Sequence, residues 1–245
     1  ITEPGSGALP ADRQSHLPVD RVRATAEVMA EVARRHPDVE LMLCASGGGR
    51  SDLATLRWFH ELWTSDDTDP VDRVRIQWGA SHLLPASVLG AHVTRWGQRP
   101  IAFGCAVAMS GRFGFDLDLA GLTDEETATC VGAAAAYARV RDVVQHGDLH
   151  RLVSPIGGTR AALLYQRGDR TVAFLHRLPG DPGGGDPVRV PWVGRDGGRA
   201  SVVDLTPGRA RDARLTGLVD GGVPWPAGDA PVSTVLEVTA VPASD

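Results

Sequence analysis

An α/β region followed by an all-β region is the fold class this sequence predicts, and three observations carry it. Up to about residue 147, short apolar runs alternate with helix-period patterns, which is the signature of strand-helix units around a parallel sheet. From His150 the texture changes to short alternating runs broken by Gly, Pro and Asp clusters, as in antiparallel sheets. At the seam, Thr123 and Glu126 form a capping box that opens a long helix, and Gly147 supplies its stop. The predicted domains are therefore residues 1–147 and 148–245.

The first helix is "VDRVRATAEVMAEVARR", whose 3.6-residue period puts Val22, Ala26, Met29 and Ala33 on one face. It ends at His36-Pro37, because the residue before proline resists helical geometry. "VELMLC" reads as a buried strand, "DLATLRWF" as a helix, and the run into "ELWTSD" as a strand. A helix then runs from Pro70 through "VDRVRIQWG", with proline well placed in its first turn. Two further apolar segments, "LLPASVLGAHV" and "IAFGCAVAMSG", precede the capped helix "DEETATCVGAAAAYARVRDVVQH". These are roughly four strand-helix units, half of what a complete (β/α)8 barrel needs. The region is then either the second half of a barrel or a small doubly wound sheet.

The second region carries the strands "RLVSP", "AALLYQR", "RTVAFLHRL", "VRVPWV", "SVVDL" and "STVLEVTAV". "QRGDRT" is a tight hairpin with Gly168-Asp169 at its turn, and "PGDPGGGDP" at 179–187 is expected to be a flexible surface loop. A small antiparallel β-sandwich is the predicted arrangement.

Composition excludes several function classes. Of 245 residues, 42% are hydrophobic and 22% charged, an ordinary balance for a folded globular chain. A net charge of −5 without a basic stripe gives no reason to expect nucleic acid or an anionic membrane as partner. All 25 cationic side chains are arginine, so there is no Schiff-base lysine and no P-loop. Cys44, Cys105 and Cys130 lack zinc-site spacing, and their odd number argues against a disulfide framework, so a reducing cytoplasm is the expected compartment. No metal and no cofactor is expected, and the acidic residues do not have the spacing of a calcium-binding EF-hand loop. No apolar run reaches the ~20 residues of a membrane span. A chain opening on Ile1 is expected to be a fragment or a processed piece.

In parallel βα folds of the barrel type, chemistry gathers at the carboxyl ends of the strands. That singles out "CASGGGR" after one strand and "WTSDDTD" after the next, on one face. Glycines there let backbone N–H groups approach a substrate hydroxyl, and Asp66, Asp67 and Asp69 can serve as acid, base or ligand. Taken singly, the glycine run is an ordinary turn and the acidic cluster before Pro70 an ordinary helix N-terminus favoured by the dipole. His92 is expected to pack or hydrogen-bond in place, and Asp116 and Asp118 to cap structure.

In combination, "CASGGGRSD", "WTSDDTDPVDRVRIQWG", "SHLLPASVLGAHVTRWG", "AMSGRFGFDLDL" and "VVQHGDLHRLVSP" resemble, in order and spacing, the retaining α-galactosidases of glycoside hydrolase family thirty-six. The resemblance is strong through residue 155 and thins in the C-terminal region. It implies the C-terminal half of a (β/α)8 TIM barrel followed by a β-sandwich. It further implies removal of terminal α-D-galactose from oligosaccharides by double displacement, without metal or cofactor, in a protein that can form homo-oligomers. Asp66 falls on the family's general acid/base, and Cys44 and Gly47 on positions lining the galactose near its 2-hydroxyl. The family's nucleophile belongs to a Lys-x-Asp-x-Asn-Arg motif placed just before a segment like "ITEPGSGALPADRQ", and this chain lacks it. The alternatives are a non-catalytic remnant or carbohydrate-binding piece, and an α-galactosyl transferase.

Overall fold

The computed structural model describes residues 5–45, 47–49, 51–190, 199–209 and 222–241. Helix α1 (Leu17–Arg35) ends on His36, as the following proline requires. Ala26, Met29 and Ala33 on its apolar face are half-buried, while Val22 is exposed. Strand β1 (Met42–Leu43) pairs in parallel with β2 (Glu61–Leu62), Leu43 opposite Leu62. An isolated parallel bridge joins Leu62 to Leu89, just before β3 (Gly90–Val93), and β3 pairs in parallel with β4 (Arg112–Phe115). The parallel strands thus follow one another in chain order.

Helix α2 (Pro70–Ala80) starts where Asp69 caps it, accepting from the Val71 amide at 2.9 Å. Helix α3 (Ile101–Ala108) is apolar nearly all round and correspondingly buried. Helix α4 (Asp124–His146) opens on the expected box: Thr123 Oγ1 accepts from the Glu126 amide, and Glu126 accepts from the Thr123 amide. Arg95 then grips Glu126 through two bonds of 2.6 and 2.7 Å, tying the β3–α3 connection to the start of α4.

Beyond α4, five antiparallel strands run in the order β5-β6-β7-β11-β9: β5 (Asp148–Val153), β6 (Arg160–Arg167), β7 (Arg170–Arg177), β9 (Arg199–Asp204) and β11 (Val232–Val241). The β6-β7 turn pairs Arg167 with Arg170, with Gly168 at φ +61° as a two-residue turn demands. Alternation sorts the side chains. Leu163, Tyr165, Val172, Phe174 and Val235 face α3 and α4 and complete one core with Ala91, Val93 and Met109. Leu164, Leu175, Leu236 and Val238 face away, under a two-stranded ribbon of β8 (Val188–Arg189) and β10 (Gly222–Val223). The parallel strands and the antiparallel sheet therefore share a hydrophobic core through two helices. Burial on both faces explains the near-continuous apolar runs of β6 and β7.

Two local expectations change. Residues around "DLATLRWF" form a single 3-10 turn, Thr55–Arg57, because Asp52 binds the Thr55 amide at 3.0 Å and one turn already seats Leu56 and Phe59 on the Leu62 cluster. The strand in "VELMLC" is limited to Met42–Leu43. The 179–187 run is a surface loop, as expected, but one pinned at Asp181. Asp181 in it accepts from Arg160 at 2.5 Å, Arg177 at 2.7 Å, Thr159 at 3.1 Å and the Gly183 amide at 2.8 Å. These donors, Arg160 first, hold its carboxyl well below the usual carboxylate range. Of "VRVPWV", residues 191–193 lie outside the described residues.

Candidate functional site

The carboxyl ends of β1, β2, β3 and β4 open into a cavity of about 370 Å³ lined by Met42, Cys44, Trp63, Asp66, Thr68, His92 and Asp116. Two of the residues singled out in the sequence, Cys44 and Asp66, line it directly. Both are exposed. The third, Gly47, is buried and lies against the acidic loop: a Cβ on it would stand 2.8 Å from Ser65 Cα and 3.1 Å from the Asp66 nitrogen. Its φ of +66° is a conformation that L side chains rarely adopt. Gly48 follows suit, donating its amide to the Thr64 carbonyl at 3.1 Å, where a Cβ would meet that same oxygen at 2.9 Å. The glycines after β1 thus have a near cause in the fold: they let one loop seat backbone to backbone on the next.

The loop after β2 divides its carboxylates by task. Asp69, 8% exposed, caps α2 and is gripped by Arg99 at 3.0 Å. Asp67 accepts from the Asp69 amide at 3.1 Å, and Ser65 Oγ accepts from the Asp67 amide at 3.1 Å. Asp66 alone of the three has a carboxylate with no hydrogen bond or ion pair among the described residues, and it faces the cavity.

The wall is built by long-range contacts that periodicity does not reveal. The Trp63 and His92 rings meet at a tilt of 38° with centroids 4.9 Å apart, and His92 Nε2 lies 3.1 Å from Glu61 Oε1. Gly90 leaves the room that Glu61 and Trp63 occupy, since a Cβ there would meet Glu61 Oε1 at 2.7 Å. His92 is thus held in place, as expected, and is also part of the cavity wall. Asp118 caps a turn by accepting from the Ala120 amide at 3.1 Å. Asp116 departs from the capping role assigned to it: its amide continues the ladder to the Val93 carbonyl, and the residue lines the cavity. Among the described residues, no group of three or more His, Cys, Asp or Glu side chains is arranged to hold a metal ion.

Chemically, the cavity offers a carboxyl without a partner among the described residues, two aromatic rings and a thiol, at the carboxyl ends of parallel strands. The Melibiase family profile matches residues 1–147, and the chain belongs to that family, glycoside hydrolase family thirty-six. Over 181 residues it is 38% identical to α-galactosidase AgaA of Geobacillus stearothermophilus, covering 71% of this chain and 25% of that protein. Over 148 residues it is 40% identical to a probable α-galactosidase of Emericella nidulans, covering 58% of this chain and 20% of that one. The crystal structure of an AgaA variant in complex with raffinose superposes with a TM-score of 0.84 at 30% identity, over 98% of this chain and 34% of that one. The Lactobacillus brevis α-galactosidase gives 0.83 at 26% identity, over 100% and 35%. The chain thus spans about a quarter of the length of the curated relatives it matches.

Proposed function

We propose that this chain is the C-terminal half of the (β/α)8 barrel, with the following β-sandwich domain from residue 148, of a retaining α-galactosidase. Asp66 is its general acid/base, and Cys44 and Gly47 line the galactose. The observation that carries the assignment is the division of labour after β2: Asp67 and Asp69 are engaged in holding the loop, and Asp66, whose carboxylate has no partner among the described residues, lines the cavity. Strands in chain order support a singly wound barrel over a doubly wound sheet, whose order reverses. Solved relatives described as complexes with raffinose and stachyose support α-galactosyl oligosaccharides as the substrate class.

In this reading a carboxylate from the Lys-x-Asp-x-Asn-Arg segment attacks the anomeric carbon while the Asp66 carboxyl protonates the departing glycosidic oxygen. Asp66, now ionised, takes a proton from water as that water displaces the enzyme carboxylate and releases galactose. Trp63 and His92, whose rings meet at 38°, line the cavity and offer aromatic edges to the sugar. Three free cysteines suit a cytoplasmic protein.

Assay of the 245-residue chain with an aryl α-galactoside, beside a version extended upstream through the nucleophile motif and the N-terminal half, tests the reading. Turnover by the extended protein and silence of the chain alone are expected, because the covalent step lacks its nucleophile. Silence of both supports the remnant reading instead.

A further inference from the structure

Arg73 is buried to 2% exposure on α2, behind the loop that carries Asp66. Among the described residues it has no carboxylate partner within ion-pairing distance. Its Nη2 donates to the Gly90 carbonyl at 2.7 Å, its Nη1 to the Ser65 carbonyl at 3.3 Å and its Nε to Gln77 Oε1 at 3.4 Å. The guanidinium also lies over Trp63, 4.9 Å from the ring centroid. Gln77 is held in turn by donating to the Val107 carbonyl and Ser110 Oγ. Burial lowers the guanidinium's pKa to about 10, with Asp67 opposing the shift, so the group stays charged at neutral pH.

A buried charge without a counter-ion is costly, and an apolar side chain of similar volume would fill the space more cheaply. What the guanidinium does that an apolar side chain cannot is bind carbonyls of β3 and of the acidic loop at once. One of them is special. The Ser65 carbonyl shares a rigid peptide plane with the Asp66 nitrogen, so fixing the oxygen fixes the direction in which Asp66 leaves the loop. From the other side, the Gly48 amide fixes the preceding carbonyl, that of Thr64.

We infer that Arg73 is a positioning residue for Asp66: with the glycine loop it clamps two consecutive carbonyls, aiming the acid/base carboxyl at the cleft and supporting the Trp63 wall. The role rests on the acid/base reading of Asp66 for its catalytic consequence, but not for its structural one. Positioning errors of about 1 Å are worth ~100-fold in rate.

Two measurements on the chain extended through the nucleophile motif and N-terminal half decide it. The first is amide hydrogen exchange in Arg73→Met and in Arg73→Lys, which retains the stem and charge but loses the planar fork. Amides of residues 65–68 should exchange faster in both variants, while those of β6 and β7 keep their protection. Unchanged exchange at 65–68 overturns the inference, whatever the protein does to galactosides. The second is kcat/KM on raffinose and on an activated aryl α-galactoside. A misaimed acid should cost ~100-fold on raffinose and under ~10-fold on the activated substrate. Equal losses on both, or losses matching a fall in folded fraction, overturn it. If Arg73→Met does not fold, Arg73→Lys carries both comparisons. An extended, unaltered protein that cleaves no galactoside defeats the reading of Asp66, and the exchange result still decides the clamp.

Discussion

Gly47 presses directly on the backbone of Ser65: the nearest heavy atom to a Cβ at Gly47 would be Ser65 Cα, at 2.8 Å. Backbone cannot yield as the tip of a flexible side chain can, and φ of +66° adds ~1–2 kcal/mol for an L side chain. Gly47→Ala should therefore displace the loop bearing Asp66 and depress kcat of the extended enzyme even on small substrates. Cys44 lines the same cavity without entering this contact, so its effect should fall on substrate choice. With a thiol and a glycine at these positions, kcat/KM for an aryl α-galactoside should exceed that for the N-acetylgalactosaminide at least 10-fold, the order of discrimination a small pocket achieves. Equal values for the two sugars would remove Cys44 and Gly47 from the sugar site.

Asp66 has no structural bond to lose among the described residues, so Asp66→Ala should leave the melting temperature within experimental scatter. Its effect should be chemical: the largest fall on galactosides with poor leaving groups, and partial recovery with azide on activated ones, since azide attacks the intermediate without a base. Asp69→Ala should do the reverse. It strips the cap of α2 and leaves Arg99 without its carboxylate partner, so its mark should be lost stability, ~1–2 kcal/mol for the cap. Near-normal hydrolysis of raffinose by Asp66→Ala would overturn the assignment.

What could be read from the sequence was whatever is fixed by neighbours in the chain. The Thr123–Glu126 box, the start of α2 at Asp69-Pro70, the end of α1 before Pro37 and the Gly168 turn are all decided within four residues of themselves. Strand length was not legible, because β1 and β2 end where their partners end. The same division runs through the site. Glycines and carboxylates after consecutive strands marked Cys44 and Asp66, which meet in one cavity. Trp63 on His92 and Asp116 beside them depend on contacts 23 and more residues away, and no local pattern announces them. Arg73 did leave a trace. Helical spacing places it and Gln77 among the buried Val71, Val74 and Trp78, and a charge on the apolar stripe of an amphipathic helix asks for an explanation.

Asp181 fastens the start of β6 to the end of β7, with Arg160 and Arg177 converging on a side chain that is 1% exposed. Arg177 also donates to the carbonyls of Pro226 and Gly228 at 2.8 and 2.9 Å, extending the tie to the segment before β11. Removing the carboxylate leaves two guanidinium groups crowded without an anion. Asp181→Ala should cost ~3 kcal/mol of stability, as measured by denaturant unfolding, and Asp181→Asn less, since the amide oxygen can still accept. An unchanged unfolding midpoint in Asp181→Ala would reduce the node to surface decoration.

His176 gives the fold a pH dependence of known sign. It is 2% exposed, its Nδ1 lies 2.7 Å from Ser233 Oγ, and Phe103 meets it edge-on at 6.1 Å. Burial lowers its pKa from 6.5 to about 4. Between those values the unfolded chain binds a proton that the native chain refuses, so acid draws the equilibrium toward unfolding. Stability from this residue is complete above pH 6.5, declines as pH falls, and levels off below about pH 4, where the native imidazole is protonated as well. At pH 5 the expected loss is ~2 kcal/mol, from 1.36 kcal/mol per unit over roughly 1.5 units. Carboxylate pairs such as Asp181 with Arg160 lose their contribution only at lower pH, because that carboxyl's pKa is depressed. Unfolding midpoints should be compared at pH 7 and pH 5 for the unaltered protein and His176→Gln, which retains a polar contact for Ser233 and does not titrate. The variant should be less stable at pH 7 and lose much less on going to pH 5. Parallel losses in the two proteins would mean that acid acts elsewhere, and that His176 contributes packing alone.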